Sequence, residues 1–334
     1  MNGSYDPELT DLLKEITEDI AKNIIKEGSP IILIDEYSWY REVLSLMAKQ
    51  VNLCDSCMLL LENGMEQEAY LLARSQFNNT LWIRYLCEAE ENDDTRLKEY
   101  CYQSDVNQLK ENNNLKTMIK KYGDTLDEKY KDPNIINKLN RSNRKIKKEL
   151  KREGIAEKPK NIADLAKNDS ILFSAYVTLY NEGSKFEHSN ISTIKRYRKK
   201  AIREYSQDQI FVFDLGKSNV NIWFTVFKYS LMSMYWAFES ISNRIQGREK
   251  QLLEEKPYGK SAYSEKDFTE IDMKFKKCMA LVEREPKYQV VMKFKNENSD
   301  SNDVSEIQSK ESKTMKAEPD NIDRKAANTA LRKI

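Results

Sequence analysis

Residues 36–62 read EYSWYREVLSLMAKQVNLCDSCMLLLE, and their large apolar side chains recur at alternating steps of three and four. This spacing is typical of a helix that packs lengthwise in a bundle. The stripe consists of Tyr40, Leu44, Met47, Val51, Cys54, Met58 and Leu61. Asn63-Gly64 then predicts a left-handed cap, and residues 66–90 predict a second long helix. Together the two helices predict an antiparallel hairpin.

Apolar residues at helical spacing also occur in four further stretches of the chain. They predict helices at 7–26, at 162–165 with 171–180, and at 268–281, and a central helix at 219–245. Gly and Pro number only 9 and 7, which disfavours strand-rich folds because such folds need many turns. We therefore predict an all-α fold, a helical bundle of long antiparallel helices with a disordered C-terminal tail.

The composition changes along the chain and indicates four regions. They are an N-terminal helix and connection at 1–35, a main bundle at 36–246 with a basic insertion at about 95–160, a peripheral region at 247–295, and a tail at 296–334. The peripheral region holds a helix and a candidate edge strand at 288–294. The tail contains no aromatic residue, so it cannot bury enough apolar area to offset the entropy of ordering.

The overall charge gives no general reason to expect a polyanionic partner or a membrane, because 55 Lys and Arg balance 54 Asp and Glu. The acidic N-terminus lacks the features of a secretory signal, and no run of eighteen apolar residues occurs. We expect a cytoplasmic protein that does not bind membranes. The five cysteines are an odd number, and in that compartment they predict reduced thiols.

Several common catalytic and metal-binding motifs are absent from the sequence. Cys54-x-x-Cys57 has the spacing of half a zinc or redox site, but no second pair accompanies it, so structural thiols and no metal are predicted. No phosphate-binding loop, dinucleotide-binding turn or hydrolase elbow is present, and no cofactor is predicted.

His188 is the only histidine, and its side chain is the one whose ordinary pKa lies near neutrality. Six of the next fifteen residues are Lys or Arg, and we predict a basic helix over 191–205. Two other interpretations remain open. A lone histidine in this position more often caps a helix C-terminus, and the basic runs at 138–152 and 195–203 are typical of solvated helix faces.

Two separated blocks carry a resemblance to a known family. They are Ala73-Arg74-Ser75-x-Phe77, followed by Trp82-Ile83-Arg84-Tyr85-Leu86, and the Tyr-x-x-x-Ser-x-x-x-His pattern from Tyr180 to His188. Over about 36–245 the chain resembles an uncharacterised all-helical bacterial domain family of unknown function, whose fold is similar to the HEPN bundles. The resemblance implies RNA as a partner, a homodimer, and metal-independent endoribonuclease activity in phage defence or stress.

The site implied by the resemblance consists of His188 as general acid or base, with Arg74 or Lys185 stabilising charge on the phosphate. The HEPN signature has an arginine four to six residues before its histidine, and here that window holds none. Asn78 stands where the resembling family usually has Glu, and Arg74 is expected to contact Tyr180 or Glu187. The predicted RNA-binding residues are Lys195, Arg196, Tyr197, Arg198, Lys199, Lys200 and Arg203.

Two alternatives compete with a ribonuclease. In the first, the protein is a non-catalytic helical interaction or regulatory module, and Arg74 and His188 are structural. In the second, it is a DNA-binding regulator, although no helix-turn-helix with a clear recognition helix occurs. Tyr180 and Tyr197 are candidates to stack bases in the RNA-binding case.

Overall fold

The structure is a computed structural model that describes residues 6–28, 39–89, 94–187, 198–201, 210–213, 222–255 and 263–284. At 124, 129, 182, 184–187, 198–201, 210–213, 248–255 and 284 it describes the backbone alone. The predicted edge strand at 288–294 and the predicted tail lie outside the described residues. The chain forms two compact units, 1–278 and 279–334, and only 279–284 of the second are described.

The described part of the chain is overwhelmingly helical, which confirms the predicted all-α bundle. Its helices are α1 (Pro7–Asp19), α2 (Trp39–Glu62), α3 (Glu66–Cys87), α4 (Thr95–Cys101), α5 (Gln103–Tyr122), α6 (Ile135–Glu153), α7 (Ile162–Ala166), α8 (Ser170–Glu187), α9 (Trp223–Glu255) and α10 (Glu265–Arg284). A π-helical turn (Ile20–Ile25) continues α1, and two 3-10 turns (Gly123–Thr125 and Glu128–Tyr130) separate α5 from α6.

The predicted hairpin of α2 and α3 is confirmed, and its turn shows why the chain reverses there. Gly64 has φ +72°, a left-handed conformation that glycine adopts without steric penalty. The Met65 amide donates to the Leu60 carbonyl at 2.8 Å and the Gly64 amide to the Leu61 carbonyl at 3.2 Å. These bonds satisfy carbonyls at the end of α2 that no helical amide reaches.

Helix α9 packs along both α2 and α3 and completes a three-helix core, as expected for a central helix. Its inward face is fully buried and includes Phe227, Leu231, Met234 and Ile241. The Phe77 ring of α3 meets the Trp236 ring of α9 edge-on, with 6.3 Å between centroids. Burial of this apolar area is the main source of stability for the bundle.

Among the described helices, α2 is long and apolar enough to cross a membrane. Half of its most apolar window is buried inside the bundle. Its buried residues include Met47, Cys54, Met58 and Leu61, which lie on the stripe that the sequence predicts. Packing against α3 and α9 therefore accounts for the apolar character of this helix.

A buried polar seam runs between α2, α3 and α9, formed by Gln50, Gln76, Asn79, Thr80 and Ser230. Asn79 donates to the Gln50 side-chain carbonyl at 2.9 Å, and Gln50 donates to the Thr80 hydroxyl at 3.0 Å. The Ser230 hydroxyl donates to the Gln76 side-chain carbonyl at 2.9 Å. Because buried polar groups are unfavourable without partners, these bonds hold the three helices in one register.

The predicted basic helix over 191–205 is wrong where the structure describes it. Residues Arg198–Ala201 form strand β1, which pairs antiparallel with strand β2 (Ile210–Phe213). The register places Arg198 opposite Phe213 and Lys200 opposite Phe211. The apolar segment at 210–213 supplies β2. Aromatic and β-branched residues favour strands, and pairing with them overrides the helix propensity of Lys and Arg.

Candidate active site

Helices α3 and α8 pack together, and their contact brings Arg74 and Tyr180 together. The guanidinium carbon of Arg74 lies 4.1 Å from the centroid of the Tyr180 ring. A cation over an aromatic face is stabilised by about 0.5–2 kcal/mol, depending on how far it is desolvated. Of the two partners predicted for Arg74, Tyr180 is confirmed. The side chain of Glu187, the other, lies outside the description.

Two further contacts hold the Tyr180 side chain in place. Its hydroxyl donates to the Asn78 side-chain oxygen at 2.7 Å, so Asn78 connects α3 to α8 one turn beyond Arg74. The Tyr176 ring lies 4.3 Å from the Tyr180 ring, centroid to centroid. The Tyr180 ring therefore contacts Arg74 and Tyr176, and its hydroxyl contacts Asn78, all within the protein. This packing argues against its predicted role in stacking RNA bases.

Gly183 lies one turn beyond Tyr180 on α8 and allows α3 to approach closely. It is buried, and a Cβ atom built on it would lie 3.1 Å from Cδ of Arg74 and 3.4 Å from Cε1 of Tyr70. A side chain there would displace Arg74. Neither Gly183 nor Tyr70 was among the site residues predicted from the sequence. A glycine inside a helix is unfavourable by about 1 kcal/mol relative to Ala. Its presence in the predicted helix was the sequence signal that another segment approaches closely at this position.

We expect Tyr180→Phe to lower the free energy of unfolding by about 0.5–1.5 kcal/mol, because the hydrogen bond to Asn78 is lost while the ring stays over Arg74. Urea denaturation followed by circular dichroism measures the change. Tyr176→Phe is the matched control, since the Tyr176 hydroxyl makes no hydrogen bond to the residues that the structure describes. A loss in the control as large as in Tyr180→Phe would contradict the role of this bond.

The remaining predicted catalytic residues lie at the end of α8. Lys185 and Glu187 belong to its last turn, where the structure describes the backbone alone. His188 follows the last helical residue directly and lies outside the described residues. The positions of the imidazole and of the Lys185 ammonium therefore stay predictions.

The predicted RNA-binding residues are distributed between β1 and undescribed segments. Arg198, Lys199 and Lys200 lie on β1, whereas Lys195, Arg196, Tyr197 and Arg203 lie outside the described residues. Consecutive strand positions belong to opposite faces, so the position of Lys199 belongs to the face opposite Arg198 and Lys200. A single cationic helix face, as the sequence predicted, is not formed by these three residues.

The cysteine pair of α2 is buried in the bundle, which confirms that its thiols are structural. The Cys54 thiol lies 3.5 Å from the Ser230 hydroxyl, and the Cys57 thiol donates to the Ala69 carbonyl at 3.5 Å. Burial raises the pKa of Cys57 to about 12 and that of Cys54 well above its ordinary value. Within the described ranges no group of three or more His, Cys, Asp or Glu side chains is arranged to hold a metal ion.

Comparison with known proteins finds a family whose model matches part of this chain. No curated protein and no solved structure shows a significant match to this chain. The matched residues run from the start of α2 to the end of β1 and beyond, and they include Arg74, Tyr180 and Gly183. Over residues 41–204 the chain matches the model of a family of unknown function (DUF5677).

Proposed function

We propose that this protein is a HEPN-like helical protein that binds RNA and cleaves it without a metal ion. The observation that carries the proposal is the position of Arg74, which lies against Tyr180 and Gly183 in the last two turns of α8. His188 follows that helix directly, five residues after Gly183. A guanidinium and an imidazole near one helix end are the groups that a metal-independent ribonuclease needs.

In the proposed reaction, the 2′-hydroxyl of a ribose attacks the adjacent phosphorus and the 5′-oxygen of the next nucleotide leaves. His188 takes the proton from the hydroxyl or gives one to the leaving oxygen. Arg74, or Lys185 one turn before His188, stabilises the negative charge that grows on the phosphate. The atoms balance with a cyclic phosphate and a free 5′-hydroxyl as products.

We also propose a homodimer formed through the helices that carry the site, acting in the bacterial cytoplasm in defence or stress. Support comes from α8, where Phe173 and Val177 are 38% and 39% exposed and lie on the side next to Tyr180. Apolar side chains exposed together on one helix favour a protein partner. Light scattering on purified protein measures the mass that decides between one chain and two.

The test of catalysis is the cleavage of single-stranded RNA in EDTA. We expect His188→Ala to lower the rate by about 10²–10⁴-fold, the usual contribution of general acid–base catalysis, with no fall in melting temperature. Ser189→Ala is the control at the neighbouring position and should cut at the wild-type rate. Wild-type protein that leaves RNA intact in EDTA, or His188→Ala that still cuts it normally, would end the proposal.

A non-catalytic interaction or regulatory module is the second candidate, and the packing of Arg74 favours it. The guanidinium already lies on the Tyr180 ring, and Tyr180 is hydrogen-bonded to Asn78, so these groups form a cluster that stabilises the bundle. In that case Arg74→Ala and His188→Ala both lower the melting temperature, and neither changes any RNA cleavage. The same cleavage and melting measurements therefore separate the two functions.

A further inference from the structure

Helix α6 carries five exposed cations on its outer face: Arg141, Arg144, Lys145, Lys148 and Lys151. Their spacings of three and four residues place them on one side of the helix, and we call this set the α6 stripe. From Arg141 to Lys151 it extends about 15 Å at the helical rise of 1.5 Å per residue. We propose that the α6 stripe binds the phosphate backbone of single-stranded RNA, which rests on the proposed function for the choice of RNA.

The charges of α6 are separated onto two sides of the helix. Its acids, Glu149 and Glu153, contact the neighbouring helices: the Tyr102 hydroxyl donates to Glu149 at 3.4 Å, and Lys98 lies 3.7 Å from Glu153. An ordinary solvated helix mixes the two signs so that residues four apart attract one another. Here Glu149 and Glu153 turn toward Tyr102 and Lys98 and toward the neighbouring Arg152, and the five positions of the α6 stripe carry cations alone.

The five cations of the α6 stripe also lack the ion pairs that other cations of this helix make. Lys138 pairs with Asp132 at 2.6 Å, while Lys147 and Arg152 pair with Glu157 and Glu149. For the α6 stripe, no hydrogen bond or ion pair is made to the residues that the structure describes. These side chains are therefore available to an external anion.

This arrangement is unfavourable for the helix alone, which indicates a ligand rather than a structural purpose. Like charges three and four residues apart repel by a few tenths of a kcal/mol for each pair. The helix dipole favours cations only in the last turn, which accounts for Lys151 but not for Arg141 or Arg144. A bound polyanion would offset the repulsion between these cations.

The inner side of α6 is already occupied, so this helix has no apolar face to insert into a bilayer. Leu150 is buried in a small core with Val106 and Leu109 of α5, against which Ile146 also packs. Farther along, the Asn112 amide donates to the Asn143 side-chain oxygen at 2.7 Å. No large apolar side chain among the described residues of α6 is exposed. A membrane-surface helix needs such a face, whereas RNA binding needs the charges alone.

The test measures binding of the full-length protein to a fluorescent 2′-O-methyl oligouridylate, which cannot be cut through a 2′-hydroxyl. We expect the triple variant Arg144→Gln, Lys145→Gln and Lys148→Gln to bind about a hundredfold more weakly near 0.1 M salt. The slope of log K against log salt should fall by about 2, since each phosphate contact on a single strand contributes about 0.7.

A second triple variant controls for the change in net charge. Lys167→Gln, Lys266→Gln and Lys276→Gln remove three exposed lysines that pair locally with Asp164, Glu270 and Asp272. This control should bind the oligonucleotide as the wild type does. Circular dichroism should show that neither triple variant has lost helix content.

The outcomes separate this proposal from the proposed catalysis. Equal binding by both triple variants, or no binding by the wild type, overturns the α6 proposal even if His188→Ala abolishes cutting. Loss of binding confined to the α6 variant supports it even if His188→Ala cuts normally. Binding through the same three residues to poly-L-glutamate, or to phosphatidylserine vesicles, in preference to the oligonucleotide overturns the assignment to RNA.

Discussion

Replacing Gln76 by Leu is expected to lower the free energy of unfolding by about 2–4 kcal/mol. Gln76 is fully buried, donates to the Leu53 carbonyl at 3.2 Å and accepts from the Ser230 hydroxyl at 2.9 Å. Leucine has a similar volume but makes neither bond, and a buried hydrogen bond that loses one partner costs about 1–3 kcal/mol. Urea denaturation followed by circular dichroism measures the loss.

Two companion variants show whether the loss comes from the polar seam. Ser75→Ala, on the exposed side of the same helix, should change stability by less than about 0.5 kcal/mol, because surface changes are usually small. Adding Ser230→Ala to Gln76→Leu should restore part of the loss, because both partners of one hydrogen bond are then absent. A double variant that loses the full sum of both single changes would contradict the proposed coupling.

Replacing Gly183 by Val is expected to lower the free energy of unfolding by about 1–3 kcal/mol, the usual range for overpacking. Its new Cβ would lie 3.1 Å from Cδ of Arg74, and the added methyl groups would reach farther into the α3–α8 contact. The control is Gly247→Val on α9, where no atom lies within 4 Å of the added Cβ. That change should be small, because Val forms helices at least as well as Gly.

The clash at Gly183 can be assigned to Arg74 by a third variant. Arg74→Ala removes the Cδ atom that the new side chain would meet, so the double variant should be more stable than the sum of the two single losses predicts. Thermal melting of the four proteins gives the coupling energy. Additive losses would place the clash on Tyr70 instead, whose Cε1 lies 3.4 Å from the same position.

Features that depend on local periodicity could be predicted from the sequence. The stripe on α2, the left-handed Gly64 and the long central helix all follow from which residues recur every three or four positions. Tyr180 was one of two partners predicted for Arg74, because a cation that is partly removed from water needs a partner. The inferences from periodicity need no knowledge of how distant segments meet.

Features that depend on contacts between distant segments could not be predicted. The basic segment at 198–201 is a strand because β2 pairs with it, and lysine and arginine do not reveal that pairing. Gly183 matters because α3 approaches it, and the presence of a glycine does not indicate which residue lies against it. Likewise, the α6 stripe differs from an ordinary solvated face because Glu149 and Glu153 turn toward Tyr102, Lys98 and Arg152, which the sequence does not show.

The amino-acid order alone therefore determined the long helices of the bundle and their apolar faces. Three-dimensional packing fixed which polar groups became partners, such as Ser230 with Gln76, 154 residues apart, and Tyr180 with Asn78, 102 residues apart. The physical reason is that helical periodicity is encoded within a few neighbouring residues. A hydrogen bond or a close approach between helices depends on their relative register, which the whole core determines together.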